Sequence, residues 1–197
     1  MELIEMILSR ENMLRALKSV KQNKGAAGID KVTVDELDGY FKAKWADIKA
    51  AILEKRYRPQ PVRRVYIPKS NGKMRPLGIP TVADRVIQQA IAQALVKIYD
   101  PSFSNYSHGF RPNRSCHTAM KQALQNLNDG CEWVIDLDIE KYFDTVNHDK
   151  LISILREKVN DATTLHLIRA FLKAGVMEDG VKLSSDEGVP QGGLCQA

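Results

Sequence analysis

A chain of 197 residues, 44% hydrophobic and 27% charged, can bury a core and is too apolar to belong to the disordered class. Its net charge of +5 makes polyanions plausible partners, while three cysteines without C-x-x-C spacing (Cys116, Cys131, Cys195) argue against a disulfide frame or a zinc site and suit a reducing cytoplasm. The first residues carry acids where a secretory leader carries Lys or Arg, and no apolar run approaches membrane-spanning length, so neither a targeting segment nor a membrane partner is expected.

Met13, Leu14, Leu17 and Val20 recur at helical spacing behind a possible Ser9 cap and predict an amphipathic helix over 10–24, stopped by Gly25. Gly25-Ala26-Ala27-Gly28-Ile29-Asp30 reads as a turn, or as a loop whose backbone approaches a ligand or nucleic acid closely. Thr33 with Glu36 forms a capping-box pattern, and Val34, Leu37, Phe41, Trp45, Ile48, Ile52 and Leu53 continue as one broken helix or two short ones.

Pro59 and Pro61 end helical structure, and short β-type runs follow at 62–68 and 73–80 around Ser70-Asn71-Gly72, a strong hairpin signal. Charge concentrates there. From Lys55 to Ala83 stand eight basic residues (Lys55, Arg56, Arg58, Arg63, Arg64, Lys69, Lys73, Arg75) and no acid, which leaves the remainder of the chain at −3. A solubilising edge hairpin uses Lys and Arg in this way, but eight cations exceed that need. Arg forks and Lys point charges on a two-stranded ribbon can grip phosphates without reading bases.

Thr81 caps a helix with a wide apolar stripe (Val86, Ile87, Ala90, Ile91, Ala94, Leu95, Ile98), predicted as a core helix. The loop Tyr106–Ser115 mixes rings with Arg; Phe110, Arg111 and Arg114 are its candidates for stacking on bases and holding phosphates. Ser115 caps a helix to about residue 128. Then Trp133, Ile135, Leu137 and Ile139 alternate with Val134, Asp136 and Asp138, which predicts a strand buried on one face and ending in acid, with Asp144 just beyond. Carboxylates crowded in this way suit a divalent cation, Mg²⁺ rather than zinc given all-oxygen donors, although solvated acids at a strand end give the same pattern. One helix follows around 148–155 and Asp161 opens another that runs to about 172, with His148 and His166 read as capping or surface histidines. A second hairpin turns at Glu178-Asp179-Gly180, and the chain closes on Gln191-Gly192-Gly193 and Leu194 to Ala197.

Four stretches occur together in order: Ile67-Pro68-Lys69 with Arg75-Pro76-Leu77-Gly78-Ile79-Pro80; Gly109-Phe110-Arg111-Pro112; Asp138 with Tyr142-Phe143-Asp144; and Val189-Pro190-Gln191-Gly192-Gly193. In this the chain resembles the reverse transcriptase encoded by bacterial group II introns, of the maturase type, from about residue 10 to 193. The resemblance implies an α+β fold of right-hand polymerase type: an N-terminal helical extension and fingers over residues 1–131, and an incomplete palm over 132–197, with antiparallel hairpins and a small sheet.

It also implies roles. Asp138, with the backbone of Ile139, matches the first metal-binding position of the palm. Phe143 would lie under the sugar of the incoming nucleotide and exclude a 2′-hydroxyl by bulk, unless it is an ordinary core aromatic. Lys69 and Arg75 match fingers positions over the triphosphate, Gln191 the support of the nascent base pair, and Arg63 a phosphate contact for which neighbouring Arg64 is the alternative. The implied cofactor is Mg²⁺; the implied partners are group II intron RNA, an RNA template with a DNA primer, and deoxynucleoside triphosphates, in a bacterial cytoplasm.

Two departures stand out. The family completes its metal site with a later Tyr-x-Asp-Asp element, and these residues contain no adjacent Asp pair. The chain also ends in Leu194-Cys195-Gln196-Ala197 where the family continues Pro-Leu-Ser-Pro. The expectation is a fragment of an RNA-directed DNA polymerase, inactive by itself, since two-metal phosphoryl transfer needs more than one aspartate. A non-catalytic RNA-binding module is the alternative. A metal-dependent nuclease using Asp136, Asp138 and Asp144 would explain the acids but not the basic hairpin with the terminal Gln-Gly-Gly.

Overall fold

The computed structural model describes residues 2–68 and 72–189. Among them the elements run α1 (Leu3–Ile7), α2 (Arg10–Gln22), α3 (Leu37–Leu53), β1 (Val62–Pro68), β2 (Met74–Ile79), α4 (Val82–Tyr99), α5 (Cys116–Asn128), α6 (His148–Arg156), α7 (Ala162–Leu172), β3 (Val176–Glu178) and β4 (Val181–Leu183). Four helices start where the sequence places a cap: Ser9, Thr81, Ser115 and Asp161 each accept a backbone N–H from the first turn. The capping-box pattern at Thr33 acts differently. The Glu36 carboxylate accepts from Thr33 N and Oγ1, but the helix begins only at Leu37 and runs unbroken to Leu53.

The core is helical and centred on α4. Val82, Val86, Ile87, Ala90, Ile91 and Ala94 are buried against Ile4 and Ile7 of α1, Met13, Ala16 and Val20 of α2, Leu37, Ile48 and Ile52 of α3, and Leu167 of α7. Buried Asn12 ties three segments: its Nδ2 donates to Ile7 O (2.9 Å) and Ala90 O (3.0 Å), and its Oδ1 accepts from Gln93 Nε2 (2.9 Å). Its amide is thereby satisfied in an otherwise apolar layer.

Both predicted hairpins form, and they join in one sheet of order β2-β1-β3-β4. The hairpins β1–β2 and β3–β4 are antiparallel, while β1 and β3 pair in parallel at Val62 opposite Val176 and Arg63 opposite Met177. The sheet is therefore mixed, not purely antiparallel. Parallel pairing needs a crossover, supplied here by everything from β2 to α7.

Asp161 ties the chain's beginning to α7. Its Oδ2 accepts from Ile4 N (2.6 Å) and Thr164 Oγ1 (3.0 Å), and its Oδ1 from the N–H groups of Thr163 and Thr164. Burial pushes the carboxyl pKa up, but these hydrogen bonds outweigh it and hold the group below the usual carboxylate range. A depressed folded pKa contributes stability above the unfolded value, about 3.9, and loses it as pH falls through the folded value. Asp161→Ala should thus cost about 1–2 kcal/mol at neutral pH, and the deficit should shrink below about pH 4. Urea melts of both proteins at neutral and acid pH check this; a deficit independent of pH would mean that the charged form is not what stabilises.

The acidic strand expected at residues 132–140 does not form. Residues 131–139 have no assigned secondary structure, and their apolar members are exposed: Trp133 93%, Ile135 84%, Leu137 88%. Helix α5 has no buried residue, with Met120, Leu124 and Leu127 exposed. Alternation becomes burial only when a neighbouring strand supplies a ladder and another layer covers the apolar face. No described element does either for this stretch.

Candidate nucleotide and nucleic-acid site

The basic hairpin is built on β1 and β2, with β2 at the edge of the sheet. Arg75 stands on β2 opposite Ile67, exposed; Lys69 lies outside the described residues. The cations are less isolated than the window Lys55–Ala83 suggested. Arg56 pairs with Glu54, immediately upstream of that window, and Arg64 lies 3.9 Å from Glu178, which also accepts from Tyr66 Oη. The compensating acids come from the preceding helix end and from β3, which a local charge count misses.

Arg63 turns inward. It donates to Ala27 O (2.9 Å), and its buried Nε has no hydrogen-bond partner. From α4, buried Arg85 donates to Ala26 O, also with an unpartnered Nε; burial lowers its pKa, partly offset by nearby Asp30. Two guanidinium groups therefore hold the small-residue loop from beneath. A Cβ on Gly28 would lie 2.6 Å from Thr81 Cα, so glycine is required there by close approach of the chain to itself.

In the aromatic loop, Arg111 is engaged internally: Nε donates to Asp100 Oδ1 (2.7 Å), NH1 to Ser104 O and Ser107 O, and NH2 to Asp100 O, with Phe103 5.5 Å away. The Arg111 hydrogen bond and charge hold the Asp100 carboxyl below the usual range. Arg114 braces the same loop through Asn105 O (3.0 Å), and Phe110 stands 77% exposed with φ +54°. Arg111 thus shapes the loop, while Phe110 is the group presented to solvent.

Beyond α5, Leu137, Asp138, Ile139, Lys141, Tyr142 and Phe143 line one cleft of about 410 Å³. Lys141 takes a left-handed conformation (φ +51°), and Tyr142–Asp144 form a single 3-10 turn. Phe143 is 37% exposed with its ring edge-on to Tyr142 (centroids 5.5 Å), so it is a cleft wall and not a core aromatic. Asp138 is the one acid lining the cleft; Asp136 and Asp144 are exposed but are not among its walls. Among the described residues, no group of three or more His, Cys, Asp or Glu side chains converges as a metal site. Gln191 lies outside the described residues, but the chain leading to it is placed: Gly188 N donates to Val146 O (2.8 Å) and Val189 N to Phe143 O (2.7 Å). Buried His148, expected as a cap or surface residue, sits beneath that junction with Nε2 2.7 Å from Gly188 O. Neither His148 nor Arg85 has a sequence signal, because each acts on backbone tens of residues away.

Comparison with known proteins gives these motif residues a family. The chain belongs to the reverse transcriptase (RNA-dependent DNA polymerase) family, whose model matches residues 67–195. It is a homologue of the group II intron-encoded protein LtrA of Lactococcus lactis subsp. cremoris, 42% identical over 180 residues that cover 91% of this chain and 30% of LtrA. Protein YkfC of Escherichia coli (strain K12) is 39% identical over 198 residues, covering 98% of this chain and 52% of YkfC. The chain thus spans about half of one relative and under a third of the other. A solved structure, the partial Cas6-RT-Cas1--Cas2 complex, superposes over 100% of this chain and 32% of its own with TM-score 0.65 at 19% identity, a likeness of fold. Among the described residues no helix is long and apolar enough to cross a membrane.

Proposed function

We propose that this chain supplies the fingers and the beginning of the palm of a group II intron RNA-directed DNA polymerase, which binds intron RNA, an RNA template with its DNA primer, and deoxynucleoside triphosphates in a bacterial cytoplasm. The observation that carries the reading is the shared cleft of Asp138 and Phe143, which puts a carboxylate and a sugar-sized aromatic wall side by side in a family of polymerases. On this reading residues 1–131 are the N-terminal extension and fingers, and 132–197 the palm.

Lys69 and Arg75 oppose the triphosphate charge, Gln191 supports the nascent pair, and Phe143 rejects a 2′-hydroxyl by bulk. Of the two arginines at the hairpin base, Arg63 is engaged inward on Ala27 O, which makes Arg64 the candidate for phosphates of template or nucleotide. Phe110 and Arg114 offer a stacking surface and a charge to template RNA, with Arg111 setting their loop.

Reverse transcriptases generally use Mg²⁺, and Asp138 with the Ile139 carbonyl would be one part of such a site. The described residues bring no second carboxylate to the cleft, so they do not by themselves fit a two-ion site. These residues alone are accordingly expected not to polymerise. Binding of RNA without catalysis is the second reading, favoured by the eight cations on and around the hairpin.

Both readings place RNA on the hairpin. Lys69→Ala with Arg75→Ala should weaken RNA binding and make the slope of log affinity against log salt shallower by about one to two, if both side chains touch phosphate. Fluorescence anisotropy across a salt series measures this, and an unchanged slope and affinity would remove the hairpin from the interface. Primer extension by the natural-length protein, meaning this chain with any residues that continue it, then separates the polymerase from the binding module.

A further inference from the structure

We infer that His148 is a positioning residue that clamps Gly188 and Val189 onto the turn that carries Phe143, so that one imidazole holds a nucleotide-facing turn in place. The inference rests on the polymerase reading for the word nucleotide, but not for the clamp.

His148 opens α6 and is 3% exposed, yet the helix does not need its side chain as a cap, because the Asn147 side chain already accepts from Lys150 N. The imidazole points elsewhere. Its Nε2 lies 2.7 Å from Gly188 O, and a carbonyl oxygen only accepts, so Nε2 bears the proton. Nδ1 is buried without a hydrogen-bond partner, as the bare nitrogen of that tautomer.

Three hydrogen bonds therefore converge on two consecutive residues: His148 Nε2–H to Gly188 O, Gly188 N–H to Val146 O, and Val189 N–H to Phe143 O. The seat is tight. Gly188 has φ +77°, and a Cβ there would meet Asp144 O at 2.7 Å and Phe143 O at 3.1 Å. Among the described residues no backbone N–H reaches Gly188 O, and the histidine closes that end. Because Phe143 contributes its ring to the cleft wall and its carbonyl to this junction, a shift of Gly188–Val189 is also a shift of Phe143.

Two substitutions separate the atoms. His148→Gln carries an amide N–H to about the position of Nε2, whereas His148→Asn stops near Nδ1 and cannot reach Gly188. Gly188→Ala attacks the junction from the other side. In this chain, followed by NMR or mass-spectrometric hydrogen exchange, His148→Asn and Gly188→Ala should speed exchange at residues 188–189 by on the order of tenfold, with α7 amides unchanged, and His148→Gln should restore most of the protection. Long-range ¹H–¹⁵N spectra of the unaltered chain should show a proton on Nε2 and none on Nδ1. In the natural-length protein, His148→Asn should raise KM for deoxynucleotides roughly tenfold with kcat changed much less, and His148→Gln should recover it.

Unchanged exchange at 188–189 in His148→Asn, or a proton on Nδ1 with none on Nε2, overturns the clamp. Faster exchange with an unchanged nucleotide KM overturns its role in positioning. Absence of primer extension by the unaltered natural-length protein would instead refute the polymerase reading, and the clamp would still be decided by exchange and tautomer.

Discussion

Asp138→Asn is expected to lower primer extension by the natural-length protein by on the order of a thousandfold or more, while leaving its fold and RNA affinity nearly unchanged. Asp138 is exposed on the cleft wall, so its carboxylate contributes little to packing, and the amide matches it in size. What the amide lacks is negative charge, the property that a cation ligand must supply. RNA affinity should persist because the cations concentrate on the hairpin, away from this side chain in the sequence. Parallel measurements of extension, circular dichroism and anisotropy make the distinction. Near-normal extension by a folded Asp138→Asn protein would transfer the role to Asp136, the other acid of the stretch.

The second large effect concerns stability. Asp84→Ala should destabilise the chain by about 3–5 kcal/mol, the cost of breaking a buried polar network on one side. Asp84 is 2% exposed; its Oδ1 accepts from Tyr57 Oη (2.7 Å), and its Oδ2 from Gln60 N (3.0 Å) and Thr81 Oγ1 (2.8 Å). Burial raises its pKa, and the hydrogen bonds from Tyr57, Thr81 and the Gln60 backbone counter only part of that rise. Burial likewise pushes the Tyr57 hydroxyl up, reinforced by the neighbouring Asp84 carboxylate. Truncation at Asp84 leaves three inward donors without an acceptor at the place where α4 meets the chain entering β1. Tyr57→Phe, which removes one donor and leaves the others paired, should cost only about 1 kcal/mol. Urea unfolding of both variants tests the ratio, and equal small losses would mean that water replaces the carboxylate. The titration sign is opposite to that of Asp161: a raised folded pKa stabilises at low pH and loses that contribution as pH rises through it.

Much of the local architecture is decided within a few residues. A cap reaches its amide three positions on, so Ser9, Thr81, Ser115 and Asp161 could be recognised before any fold was known. Hairpins turn over short loops, so both were visible in the spacing of β-type runs. The family was equally legible, because four short motifs in fixed order carry it.

Tertiary structure decided what joins residues far apart. The parallel seam of β1 with β3, Arg85 beneath the loop at Ala26, Glu178 beside Arg64, and His148 under Gly188 each link a residue to distant backbone or charge, and none has a periodic signature. The stretch 132–140 shows the converse. Its alternation was a sound local signal, but a strand exists only through the neighbour that completes its hydrogen bonds, and no described element completes them. Sequence alone determined the starts of the four capped helices, the hairpins and the polymerase family, because those signals act over a few residues or through fixed motifs. The turning inward of Arg63 and Arg85 came only with the folded chain, since burial and hydrogen-bond partners depend on which distant backbone arrives beside each side chain.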